Sequence, residues 1–97
     1  MKVVTICGSM RFEKEMIKIA GDLEKSYGWC VIQCVYDIDI SKTTKEQMDN
    51  IVNSHWTKID MCDAIYVVNI DGYIGNSTRN EIDYATSKGK EIIYHEN

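Results

Sequence analysis

The chain has 97 residues, enough for one domain spanning 1–97 with a small core, since a chain of this size buries roughly two thirds of the surface it exposes when unfolded. A net charge of −4 and a pI near 5.0 exclude the basic surface that a polymeric nucleic acid demands, while one nucleotide needs only an arginine and a few amides. With 44% hydrophobic residues but no apolar run approaching about 18 positions, a membrane-spanning helix is excluded as well.

The opening residues, MKVVTICGS, lack the apolar length of a secretion signal, so a cytoplasmic protein is expected. Lys2 to Cys7 is a β-branched run that reads as a central strand. It feeds the loop Gly8-Ser9-Met10-Arg11. A helix follows, with Phe12, Met16, Ile19, Ala20, Leu23 and Tyr27 on the inward face and Gly28 at its C′ position.

Cys30 to Tyr36 reads as the second strand, with Asp37, Ile38 and Asp39 beyond its end. Asp37 or Asp39 there is either a ligand to a ribose hydroxyl or a solvated turn or cap residue. A second helix opens near Thr43 or Thr44, where Glu46 or Gln47 completes a capping box. Its apolar face carries Met48, Ile51, Val52, His55, Ile59 and Cys62. His55 on that stripe reads as a packed core or boundary residue more readily than as a catalyst.

Ala64 to Val68 is the third strand, and Asn69 to Ser77 a turn-rich loop. Gly72 and Gly75 permit close backbone approach to a ligand. Within the loop Asp71 reads as an Asp-Gly turn or as a second carboxylate folded back over the site. Tyr73 is suited to stacking on a base, Asn76 and Ser77 to bonding a sugar or phosphate. The third helix runs from about Arg79 to Lys88, opened by Thr78 and stopped by Gly89, and Glu91 to Tyr94 is a fourth strand.

Glu81 falls three residues after Thr78, which gives it two readings. In a capping box it returns to the N-cap amide. Alternatively, a carboxylate at a helix start beside a ligand loop is placed to attack an electron-poor carbon.

The alternation β-α-β-α-β-α-β calls for right-handed crossovers and a parallel sheet with helices on both faces. By analogy the strand order is 2-1-3-4, a flavodoxin-like (Rossmann-like) three-layer sandwich. That order sets the loops after the first and third strands side by side at the switch point. The four cysteines, Cys7, Cys30, Cys34 and Cys62, show no C-x-x-C pair and no Cys/His cluster along the chain, so reduced thiols and no metal are expected. Cys7 and Arg11 give C-x3-R, whereas the loop of low-molecular-weight tyrosine phosphatases requires C-x5-R; Cys7 therefore reads as a packed thiol.

The segments ICGSMRF and GYIGNSTRNEIDYA resemble the nucleoside 2-deoxyribosyltransferase and deoxynucleotide N-glycosidase superfamily. More narrowly, they are similar to small bacterial and phage proteins with a GYIG-x-ST-x-x-E-I-x-YA signature. The resemblance runs from Val3 to about Tyr94. It implies Glu81 as nucleophile and cleavage or transfer at the N-glycosidic bond of a 2′-deoxynucleoside or its 5′-monophosphate. It implies that the loop from Cys7 through Gly8, Ser9, Met10 and Arg11 lies against the sugar or its 5′ end. Proteins of the superfamily carry an aspartate near the position of His55, close to the scissile bond; here His55 or Asp71 would supply the proton. No cofactor is implied, and a homo-oligomer is, because the family's longer chains complete one another's pockets. The competing expectation is a non-catalytic nucleotide-binding or sensor module in which Glu81 is only a cap.

Overall fold

A computed structural model describes all of residues 1–97. Strand β1 (Val3–Gly8) lies between β2 (Cys30–Ile32) and β3 (Ala64–Val68), with β4 (Glu91–Tyr94) outside β3, so the order is β2-β1-β3-β4. Every pairing is parallel. The sequence expectation of an α/β sheet in this order, consistent with a flavodoxin-like fold, is met.

Three longer helices cross over the sheet: α1 (Glu13–Tyr27), α2 (Lys45–Asp60) and α3 (Asn76–Ser87). Successive residues of a strand face opposite sides, and two cores follow from that alternation. Ile6 and Val68 meet Met16, Ile19, Ala20 and Leu23 of α1. On the other side Cys7, Ile65 and Val67 meet Ile59 of α2, Cys62 and Ala85 of α3. Gly28 ends α1 at φ 68°, a left-handed conformation that costs a residue without Cβ nothing. No helix is long and apolar enough to cross a membrane.

Three local features differ from the sequence reading, each for a visible reason. First, β2 ends at Ile32 and not at Tyr36. Beyond the pairing Thr5↔Ile32 the chain leaves the sheet edge. The carbonyl of Ile6 then accepts from the Cys34 thiol at 3.4 Å, and that of Gln33 from the Lys58 ammonium at 3.0 Å. Second, only the C-terminal part of α2 packs down. Ile59 is its one fully buried residue, and Thr5 Oγ1 donates to the Lys58 carbonyl at 2.7 Å. Met48, Ile51 and Val52, read as core, stand off the sheet. The foot of α2 does follow expectation: Thr44 accepts from the Gln47 amide at 3.1 Å, and Gln47 accepts from the Thr44 amide at 2.9 Å. Third, the N-cap of α3 is Gly75, with no side-chain cap, so the helix begins at Asn76, three residues before the expected Arg79.

At the C-terminal end, the chain beyond β4 is tied to the turn after β3. The His95 amide donates to the Val67 carbonyl at 2.8 Å. The Asn69 amide group donates to the Glu96 carbonyl at 2.9 Å and accepts from the Glu96 amide at 2.8 Å. Tyr66 and His95 share a bond of 2.8 Å.

Candidate active site

The two central strands end level with one another, because Gly8 pairs with Val68. Their loops therefore leave the sheet together at the switch point. Gly8 is there for space: a Cβ would lie 2.9 Å from Met16 Sδ, 3.2 Å from Val68 Cβ and 3.3 Å from the Val68 carbonyl. The chain then makes a 3-10 turn over Met10–Phe12, capped by Ser9, whose Oγ accepts from the Arg11 amide at 3.3 Å.

Above this junction lies a cavity of about 390 Å³. Gly8, Ser9 and Met10 form one side, and Ser77, Thr78, Asn80 and Glu81 of α3 another. Met48, Ile51, Val52, His55, Trp56 and Lys58 of α2 face them, and Cys34, Val35 and Ile38 complete the wall. The raised half of α2 thus presents its apolar stripe to the cavity and not to the sheet.

One contact joins three elements at the base of the cavity. His55 Nε2 lies 3.3 Å from Glu81 Oε1 and 3.5 Å from Cys7 Sγ. The side chains of His55 and Glu81 keep only 13% and 17% of their exposure; Cys7 is fully buried. Burial, and then the neighbouring Glu81 carboxylate, push the Cys7 thiol well above its ordinary value. The same two causes raise Cys34 to about 11.

Because α3 starts at Asn76, Glu81 sits in its second turn, beyond reach of a capping box. The carboxylate engages His55 of another helix. The capping reading of Glu81 is thereby removed by the helix register.

Of the residues singled out in the sequence, Gly8, Ser9, Met10, His55, Ser77 and Glu81 line the cavity, and Cys7 lies behind it against His55. Asp37 is in left-handed backbone at φ 58°, donates its amide to the Glu13 carboxylate, and lines a smaller cavity of about 240 Å³ beside the first. Arg11 is turned aside: its guanidinium lies 3.6 Å from the centre of the Tyr73 ring, against which Phe12 packs edge-on at 6.0 Å. Arg11, Asp71, Gly72, Tyr73, Gly75 and Asn76 are outside the cavity lining. Asp71 and Gly72 adopt φ 55° and 77°, the Asp-Gly turn conformation, and the Asp71 amide donates to the Glu96 carboxylate at 3.0 Å. The expectation that Asp71 folds back over the site is therefore corrected; its turn is fastened toward the chain terminus.

Trp56, Lys58, Asn80 and the irregular segment around Cys34 line the cavity without having been expected there, and Thr78, expected only as a helix opener, joins them. Lys58 carried a signal, because a residue three positions after His55 on one helix shares its face. Cys34 carried none, since nothing local announces that β2 stops at Ile32.

Fold and site together define a flavodoxin-like α/β protein with a partly buried carboxylate–imidazole pair at the switch point of its sheet. No protein-family model matches the chain, and no curated protein does. Among solved structures, the CMP N-glycosidase BcmB of Clostridium botulinum is similar, with a TM-score of 0.59 and 21% sequence identity over 96% of this chain and 70% of that one. At this identity the likeness establishes the fold.

Proposed function

We propose that the protein cleaves the N-glycosidic bond of a 2′-deoxynucleoside or its 5′-monophosphate, with Glu81 as nucleophile. The observation that carries this reading is the Glu81 carboxylate, held 3.3 Å from His55 Nε2 at the wall of a cavity bounded by the loop after β1 and the start of α3. A carboxylate fixed by a neighbouring helix loses little freedom on reaching a near-attack geometry. In the proposed step Glu81 attacks C1′, the bond from C1′ to the base nitrogen breaks, and its electron pair leaves with the base. A proton must reach that nitrogen. His55 is the proposed source, because it lines the cavity beside Glu81 and Asp71 does not. Water then hydrolyses the glycosyl ester; a second base in place of water gives transfer.

The 5′-monophosphate is the preferred substrate. The first turn of α3 has no side-chain cap, so the Ser77 and Thr78 amides at the cavity are free to meet an anion. Arg11, one residue beyond the lining loop, supplies a cation once it leaves Tyr73. A solved protein of this fold is a CMP N-glycosidase, which supports a nucleotide here. No metal or organic cofactor takes part in the step. Val52 and Val35 at the cavity wall are exposed, and we propose that a second copy covers them in a homo-oligomer. The free nucleotide pool of the cytoplasm is the proposed setting.

A non-catalytic nucleotide-binding module is the second reading. It is favoured by the engagement of Glu81 with His55, which leaves the carboxylate less free to attack. Incubation with nucleosides, 2′-deoxynucleosides and their 5′-monophosphates, followed by chromatography for free base, separates the two. The enzyme releases base from a deoxynucleotide and Glu81→Gln does not. Calorimetric binding of the same compounds with no base released by the parent protein overturns the enzyme and supports the module.

A further inference from the structure

We propose that Cys7, His55 and Glu81 form a binding site for one thiophilic divalent cation, Zn2+ in the first instance. The three residues are far apart in sequence, so no linear spacing reveals them. In space, Sγ of Cys7, one ring nitrogen of His55 and a carboxylate oxygen of Glu81 all lie within 4.8 Å of one another.

The distances match the demand of a tetrahedral ion. Zinc bonds of about 2.3 Å to sulfur and about 2.0 to 2.1 Å to nitrogen or oxygen place neighbouring ligand atoms roughly 3.3 to 3.6 Å apart. The Cys7–His55 separation is 3.5 Å and the His55–Glu81 separation 3.3 Å. The remaining edge, Cys7 to Glu81, is no longer than 4.8 Å and closes when the Glu81 carboxylate turns toward the sulfur. The same geometry serves a hydrogen-bonded triad in which protons occupy the positions between the heavy atoms; the cation replaces them.

Three further features suit a cation. Each ligand comes from a different element, β1, α2 and α3, whose relative positions are fixed by the core around Ile59, Ile65, Val67 and Ala85. The donor set of thiolate, imidazole and carboxylate is one that zinc accepts, and its two negative charges offset the ion's. His55 and Glu81 face the cavity, which gives the ion a path of entry and leaves its fourth position to water, the arrangement of an open site.

On binding, the Cys7 S–H bond breaks, a sulfur–metal bond forms and the proton passes to solvent. His55 offers the Nε2 lone pair with its proton on Nδ1. The ion then occupies the carboxylate oxygen on which the proposed cleavage depends, so the filled site is inhibited and a chelator restores it. Only that last consequence rests on the proposed function; the binding does not.

Titration of the full chain with Co2+, followed by absorbance, tests the site. One equivalent of cobalt giving a thiolate-to-metal charge-transfer band with the intense visible bands of tetrahedral cobalt, displaced by Zn2+, is expected. The band disappears in Cys7→Ser and Cys7→Ala and persists in Cys30→Ser and Cys34→Ala. Affinity falls in His55→Gln and Glu81→Gln by more than the roughly 10- to 100-fold that loss of an outer-shell partner costs. The last two variants alter cavity-wall residues and keep the core thiol, so they answer even where a Cys7 variant fails to fold. No cobalt–thiolate band in the parent protein, or a band that survives the Cys7 variants and vanishes with Cys30→Ser, overturns the proposal. Nucleobase release is read separately, so failure of the cation site and failure of the glycosidase reading give different results.

Discussion

The Nε2 atom of His55 lies 3.3 Å from Oε1 of Glu81, and neither side chain has much contact with water. Glutamine in place of Glu81 keeps an oxygen for that bond but makes no glycosyl ester. Leucine in place of His55 leaves a carboxylate nearly buried beside an uncharged thiol, at a cost of about 1–3 kcal/mol. The expected outcome is a melting temperature lowered by several degrees in His55→Leu and less in Glu81→Gln, with base release lost in both. Thermal melts by circular dichroism and chromatography of the products check it; base release by Glu81→Gln would remove the nucleophile from the proposal.

Asp71 provides the contrast. Its turn faces Glu96 and lies outside the cavity lining, and asparagine tolerates left-handed backbone. Asp71→Asn is therefore expected to release base at the parent rate within about twofold, small against the roughly 10²–10⁴-fold that a general acid contributes. A loss of that larger size would return Asp71 to the chemistry.

Gly8 is held by neighbours on two sides. Gly8→Ala sets a methyl against Met16 Sδ at 2.9 Å and Val68 Cβ at 3.2 Å, and overpacking of a core costs about 1–3 kcal/mol. The urea midpoint should fall. Met16→Ala lowers the midpoint by itself, because Met16 is fully buried, so the comparison is made within that background: Gly8→Ala should still cost stability there, because the Val68 carbonyl and Cβ stay where they are, and a cost that vanishes would show that only the thioether was in the way.

The thiol of Cys34 sets an alkaline limit. Its folded-state value is about 11 against an ordinary 9.0, raised by burial and then by Glu81. The unfolded chain ionises first as pH rises, so the stability associated with the neutral thiol is complete below about pH 9 and is lost between about pH 9 and 11. Cys7 is shifted in the same direction. Urea unfolding at about pH 8 and about pH 10.5 should show a lower midpoint at the higher value, with a smaller fall in Cys34→Ala. An identical fall in the variant would assign the effect to other groups.

Arg11 tests the substrate's 5′ group. Methionine keeps much of its stem over Tyr73 and removes the charge. Arg11→Met should raise KM for a deoxynucleoside 5′-monophosphate by about tenfold or more while leaving the unphosphorylated nucleoside unaffected, as expected for loss of a charge-assisted bond. Equal effects on both compounds would show that Arg11 serves only to brace Tyr73.

The alternation of strand and helix is legible because each strand is a short β-branched or apolar run bounded by glycines and polar residues, and each crossover a stripe of period near 3.6; the order of the strands follows only by analogy with flavodoxin-like sheets. The position of His55 was legible as a point on such a stripe. What the stripe could not say is which part of it reaches the sheet, since Met48 and Ile59 look alike in sequence and differ only in what lies beneath them. The start of α3 was misread because Thr78-x-x-Glu81 is a common helix opening, while glycine at position 75 offers no side-chain signal. Asp71 and Glu81 are close in the chain, but the turn at Asp71 and Gly72 lies outside the cavity lining and its amide is tied to Glu96. Contacts with the last residues decide that direction, and no local pattern encodes them.

The early end of β2 at Ile32 has a consequence for the whole molecule. Had residues 33–36 continued along β1, Cys34 and Val35 would belong to a sheet edge; leaving it, they stand as one wall of the cavity. Mutations that extend the ladder at that corner are thus expected to gain rigidity at the expense of room for any guest.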